Sequence, residues 1–339
     1  MMKKRFKQGG ALILAAVLAV SAFAVQKSYA ADKVVVGEEC SINYAISGGT
    51  FKEVTADKVT VNLYKVATID ATGRYTVLDD YESVLNLSDI GPNLEANKWE
   101  EKALAVKTHI DTVNKDNDSE NDIARITNTT GLETGMYLVY PEQYSTSNYV
   151  YDFTPSLVSL PHNEYSANNS NDSWIYDVTV NLKPQRSDRY GDLVINKELT
   201  EYNASVGGAT FVFEVYAVKT DVDTNKEVVV YNDVVSMTFD AAGTKSVVIK
   251  NIEAGAVVTV KEVYSGASYQ LAVDSNKLAT TTIVADSEVS VGFVNDNNDG
   301  LNGGSGLVNT FTLNKDGKFG HNATTDSTST EIIAKNLEK

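Results

Sequence analysis

Cysteine is nearly absent: the chain of 339 residues carries Cys40 alone, so no disulfide framework can form within it. Histidine is almost as scarce. His109, His162 and His321 fall on a predicted helix, a loop and the tail, and no metal triad or nucleophile, histidine and acid set is apparent. Basic residues are short as well. Five of the 29 lie before Ala31, leaving 24 against 45 acidic residues and a net charge of about −21, a poor match for nucleic acid. After the first 30 residues no apolar run is long enough to span a bilayer, and no Gly-rich loop precedes a helix.

What is present begins with a secretory leader. Lys3, Lys4, Arg5 and Lys7 precede the apolar run from Ala11 to Val25, and Ser28-Tyr29-Ala30 supplies small residues at both cleavage determinants, so cleavage is expected after Ala30. A secreted chain without disulfides needs its core, or another cross-link, for stability. The rest suits two domains, 31–185 and 190–299, followed by a C-terminal hairpin and flexible tail over 300–339.

Period-two alternation dominates. Runs such as VVVG, CSINYAI and VTVNLYKVATI open the first domain, and one helix is predicted from about Leu94 to Asn114, where Trp99, Ala103, Val106, Ile110 and Val113 recur at helical spacing. Trp174, Tyr176, Val178, Val180 and Leu182 then share one face of a closing strand, which turns Lys183 to solvent. Pro184 to Tyr190 reads as a linker. Beyond it strands follow at close intervals with turn signals between them. The fold class is therefore mainly β, two immunoglobulin-like β-sandwich domains in tandem, the first with one helix inserted.

Three polar residues interrupt apolar faces in the second domain. Lys197 lies with Leu193, Ile195 and Leu199, Glu262 with Val258, Val260 and Tyr264, and Asn295 with Val289, Val291 and Phe293. Gathered in a dry core, the amine and the carboxyl would both be driven neutral. A neutral amine is a nucleophile, and a protonated Glu262 can polarise the Asn295 carboxamide. The product would be a Lys197–Asn295 isopeptide bond, formed once with loss of ammonia and without turnover. The alternative is a Lys197 that snorkels to the rim and pairs with Glu262 while Asn295 caps a turn.

GDLVINKEL, VTVKEVYSGASYQL and VSVGFVN resemble the lysine strand, glutamate box and closing F-x-N strand of collagen-adhesin B-type repeats in Gram-positive pilins and adhesins. The resemblance covers the second domain and implies the isopeptide bond on Lys197 and Asn295, with Glu262 promoting it. FTPSLVSLP followed by WIYDVTVNLKPQ is similar to the end of the N-terminal domain of Gram-positive shaft pilins. There a lysine joined by a sortase to the next subunit occupies the place of Lys183; Asn181 and Leu182 depart from that motif.

The resemblance implies a structural pilus or fimbrial subunit at the cell surface, with other pilin subunits, a sortase and a host surface ligand as partners. The alternative is a secreted, unpolymerised adhesin binding a host glycan or protein. No enzyme with turnover, no cofactor and no metal is expected. NDNNDG begins with Asn and places Gly306 where a calcium loop needs Glu, and the acidic run from Asp116 to Asp122 reads as solvated charge. Lys65 shares an apolar face with Leu63 and Ala67 but no carboxamide is placed to meet it, so no bond is expected there. No L-P-x-T-G, apolar helix and basic tail close the chain, which is expected to accept a partner at Lys183 without donating its own terminus.

Overall fold

A computed structural model describes residues 33–46, 51–90, 94–116, 122–164, 173–266, 268–273, 275–299, 307–313 and 319–325. The leader with its cleavage point, most of the acidic run and the end of the tail lie outside the described residues. The chain divides into two compact units, Met1–Tyr144 with Tyr151–Gln185, and Ser145–Val150 with Arg186–Lys339. Ser145–Val150 thus groups with the second unit although the sequence reading placed it inside the first domain.

The first unit contains β1 (Ser41–Ile46), β2 (Val61–Ile69), β3 (Tyr75–Val77), α1 (Ala96–Val113) and β4 (Gly135–Pro141). There follow β5 (Tyr144–Ser145) and β6 (Tyr149–Phe153), which straddle the division between the units, then β7 (Ser156–Leu160), β8 (His162–Glu164), β9 (Ser173–Ile175) and β10 (Asp177–Leu182). A four-stranded sheet runs β3-β2-β4-β7, with antiparallel pairing throughout. Against it α1 buries Ala103, Val106 and Ile110, in one cluster with Tyr64, Val66, Met136, Leu138 and Leu157. The expected helix is there for the expected reason, an apolar stripe at helical spacing.

Both faces of β2 are buried. Leu63 is buried on one face and Tyr64 and Val66 on the other, because α1 covers the second face. The predicted closing strand is two strands. Trp174 lies in β9, which pairs with β8, and after Tyr176 β10 pairs in parallel with β1. Val34–Gly37, expected as a strand, includes a turn in which Val35 and Val36 are exposed.

The second unit is a sandwich. β11 (Pro184–Asp188, of which Arg186 onward belongs to this unit) precedes it and is in neither of its sheets; the sandwich strands are β12 (Tyr190–Leu199), β13 (Ala209–Thr220), β14 (Glu227–Phe239), β15 (Gly243–Glu253), β16 (Val257–Tyr264), β17 (Tyr269–Leu271), β18 (Leu278–Thr282) and β19 (Glu288–Asn297). The presumed linker is therefore largely strand. One sheet runs β15-β12-β19-β17 and the other β14-β13-β16-β18. Leu193, Ile195, Phe211, Phe213, Val215, Val258, Val260 and Phe293 form their shared core. β20 (Leu307–Leu313) and β21 (Phe319–Thr325) pair as the antiparallel hairpin anticipated in the tail.

Candidate functional site

The site grows from one topological feature. β12 and β19, the opening and closing strands of the sandwich, are parallel neighbours, with Lys197 opposite Phe293 and Leu199 opposite Asn295. On a pleated sheet Lys197 and Asn295 therefore project from the same face, one diagonal step apart. Glu262 comes from β16 in the facing sheet, opposite Phe213. The irregularity between Val212 and Phe213 falls beside it, and beyond that point Val263 is buried and Tyr264 half-buried. Glu262 keeps the inward phase of Val258 and Val260, whereas Tyr264, expected on that face, leaves it.

All three side chains are sealed from water: Lys197 and Asn295 are 0% exposed and Glu262 is 2% exposed. Lys197 Nζ donates to Asn295 Oδ1. Asn295 Nδ2 donates to Glu262 Oε1 at 2.8 Å. Glu262 Oε2 lies 3.4 Å from Lys197 Nζ and has no hydrogen-bond partner of its own. The ring of Phe211 lies 4.4 Å from Nζ, and Phe213 packs on Phe293 with ring centroids 5.0 Å apart. The main-chain oxygen of Asn295 accepts from Thr200 N at 3.0 Å, which holds the end of β19 in place.

Burial governs the protonation of this set. It pulls the Lys197 ammonium down to about 8 against the opposing attraction of Glu262, and it pushes the Glu262 carboxyl up. The two groups share a proton whose transfer from nitrogen to Oε2 leaves both uncharged. The neutral amine is then a nucleophile beside an amide carbon. Sequence reasoning gave Glu262 the task of polarising the Asn295 carboxamide, without saying which of its atoms it meets. Here Glu262 meets the amide nitrogen, the leaving group, and Lys197 itself donates to the oxygen. The arrangement suits proton transfer from amine to leaving nitrogen through one carboxyl group.

The other singled-out lysines sit elsewhere. Lys183 is exposed between β10 and β11, in phase with exposed Asp177, Thr179 and Asn181. Lys65 is half-buried and pairs with Glu133 Oε2 at 2.5 Å, with no carboxamide among its described partners. A further buried lysine escaped the sequence reading. Lys219, 5% exposed, pairs with Asp188 at 2.8 Å and Glu253 at 3.1 Å and lies 4.3 Å from the Tyr149 ring. Its signal was available, since it continues the inward series Phe211, Phe213, Val215 and Ala217. Burial lowers its affinity for a proton, but the two carboxylates outweigh that and hold it as ammonium.

Among the described residues no group of three or more side chains is placed to hold a metal ion, and no helix is long and apolar enough to cross a membrane.

No protein-family model matches the chain, and a comparison with curated proteins finds no match. Among solved structures it is similar to a minor pilin of the Gram-positive pathogen Streptococcus agalactiae, at 14% identity over 78% of this chain and 98% of that one, with a TM-score of 0.21. It is similar to the major pilin of Streptococcus pyogenes at 12% identity over 76% and 97%, with a TM-score of 0.24. The Bacillus anthracis TIE protein matches at 13% identity over 86% of this chain and 41% of that one, with a TM-score of 0.27. These values leave the reading of the site to its own geometry.

Proposed function

We propose that this protein is a structural component of a bacterial cell surface, a pilus or fimbrial subunit or stalk, whose second sandwich is locked by a bond between Lys197 and Asn295. The observation that carries the reading is the closed contact of Lys197, Glu262 and Asn295 in a core shut off from solvent. Lys197 Nζ attacks Asn295 Cγ, the C–N bond to Nδ2 breaks, and Glu262 passes the surplus amine proton to the departing nitrogen. One amine and one carboxamide give one secondary amide and one ammonia. Glu262 ends in the protonation state in which it began, yet the event happens once per molecule.

The bond joins the first and last strands of the sandwich across 98 positions of chain. A pull on the two ends of the unit then meets a covalent tie in place of hydrogen bonds between β12 and β19. That suits a secreted protein with a single cysteine. Lys183, exposed at the end of β10, is the attachment amine for a sortase that joins subunits. The resemblance of its flanking motif to shaft pilins supports that role.

Intact-mass measurement of the mature chain tests the bond. The expected mass is one ammonia below that of the sequence, with a joined Lys197–Asn295 peptide after digestion. An unmodified mass overturns the proposal.

A further inference from the structure

The connection from β17 to β18 crosses between the two sheets of the sandwich, and its ends fall on the reacting set. It leaves the sheet of β12 and β19 beside Asn295: Leu271 is the register partner of Asn295, and Ala272 N donates to Val294 O at 3.0 Å. It enters the sheet of β13 and β16 beside Glu262: Leu278 is the register partner of Lys261, and Glu262 N donates to Lys277 O at 2.9 Å. The chain from Ala272 to Lys277 therefore links the backbone that carries the carboxamide to the backbone that carries the carboxyl, across sheets that ordinarily stand about 10 Å apart.

Ser275 alters the ladder inside this crossing. In a regular antiparallel pair the two residues exchange both bonds, so Val294 N would donate to Ala272 O. That carbonyl accepts from Ser275 N at 2.9 Å instead, and Ser275 Oγ accepts from Val294 N at 3.0 Å. A hydroxyl thus stands in for a main-chain carbonyl one residue before Asn295. On the opposite edge of β19, Asn295 O accepts from Thr200 N at 3.0 Å and from Thr200 Oγ1 at 3.2 Å. The strand is held from both sides where the carboxamide leaves it. That carboxamide keeps two contacts at once, accepting from Lys197 Nζ and donating to Glu262 Oε1. A misplacement of about 1 Å between reacting groups can cost on the order of 10²-fold in rate.

We infer that Ser275 is a positioning residue for the reaction between Lys197 and Asn295, holding β19 through the Val294 N–H so that the carboxamide meets amine and carboxyl together. This role rests on the bond proposed between those two residues. Ser275 touches none of the reacting atoms, so it governs how fast the bond forms and leaves the product the same.

The test follows the full mature chain through cell-free synthesis, with samples quenched in acid and weighed intact while pulse proteolysis gives the folded fraction at each time. The readout is ammonia loss per folded molecule, which a purely structural loss of stability leaves unchanged. Ser275→Ala is expected to slow it by about tenfold or more, and Ser275→Thr, which keeps the hydroxyl, to bring it back to within about threefold of the wild type. Ser246→Ala, on β15, also deletes one hydroxyl, which donates to Asn196 Oδ1 at 2.6 Å, and is expected to match the wild type because β15 does not pair with β19. Ser275→Cys offers only a weak acceptor and is expected to fall between Ala and Thr. It keeps the test decisive should Ser275→Ala not fold. A wild-type rate in Ser275→Ala or Ser275→Cys, no recovery in Ser275→Thr, or equal slowing in Ser246→Ala overturns the role of Ser275 while the bond stands. A wild-type chain that keeps its ammonia overturns both.

Discussion

Lys197 pairs with Phe293 and Asn295 pairs with Leu199, so the amine and the carboxamide lie diagonally on one face of two parallel strands, with Lys197 Nζ donating to Asn295 Oδ1. A shift of β19 by one residue against β12 would turn Asn295 to the outer face and put Val294 or Asp296 in its place. The strand register, more than the identity of the three residues, makes the reaction geometry possible.

Glu262→Gln is the sharpest probe of that geometry. The substitution keeps size and hydrogen bonding to Asn295 but removes the group that carries the proton. The mature variant is expected to retain its ammonia and to melt earlier than the wild type. For a disulfide closing ~100 residues the chain-entropy model gives roughly 4–5 kcal/mol, which sets the scale of the loss in urea denaturation. A variant that loses ammonia as fully as the wild type would remove Glu262 from the mechanism.

Lys219 provides the control. Two carboxylates hold it as an ammonium, and neither is an amide with a good route to ammonia loss. Peptide mapping should recover Lys219 unmodified. Lys219→Met should destabilise the unit by about 1–2 kcal/mol, below the 3–5 kcal/mol typical of a broken buried pair, because Asp188 and Glu253 are themselves 38% and 31% exposed and can rehydrate. A loss too small to measure would mean that solvent already screens the pair.

The contrast between these lysines shows how far the sequence speaks. Lys197, Glu262 and Asn295 were legible because each breaks a period-two apolar face, and Lys219 breaks one by the same rule. What each amine meets is not legible, since that depends on which strands become neighbours and in what register. The burial of both faces of β2 is not legible for a related reason. Its two faces are both buried only because α1 lies across Tyr64 and Val66, a tertiary fact that alternation within β2 cannot carry. Val35 and Val36 have strand composition but stand exposed beside a turn.

Lys183→Arg tests the proposed attachment amine. Lys183 is exposed at the end of β10, and Arg keeps its charge while removing the primary amine. In the native host, cell-surface material is expected to give a covalent ladder on denaturing gels for the wild type and none for the variant, with the folded monomer still secreted. A ladder of unchanged length would assign the junction to another residue.

Bond formation should also depend on pH in a way set by the two burial shifts. With one proton between them, Lys197 and Glu262 can exist as a neutral pair, and the fraction in that form does not change with pH while the proton count stays at one. Acidification through the raised Glu262 value adds a second proton and leaves an ammonium that cannot attack. Alkalinisation past about 8, the lowered Lys197 value, removes the remaining proton and with it the acid that serves the departing nitrogen. The unlinked fold feels the same shifts. The depressed Lys197 value destabilises it increasingly as pH falls from the ordinary lysine range to about 8, and by a constant amount below. The raised Glu262 value favours it at low pH, an advantage lost as pH rises from the ordinary carboxyl value through the folded one. Refolding urea-denatured, unlinked chain across a pH series and following ammonia loss by mass should therefore give a plateau bounded on both sides, with its alkaline limb near 8. A rate that climbs steadily above that value would mean that the free amine alone suffices and that Glu262 takes no part as an acid.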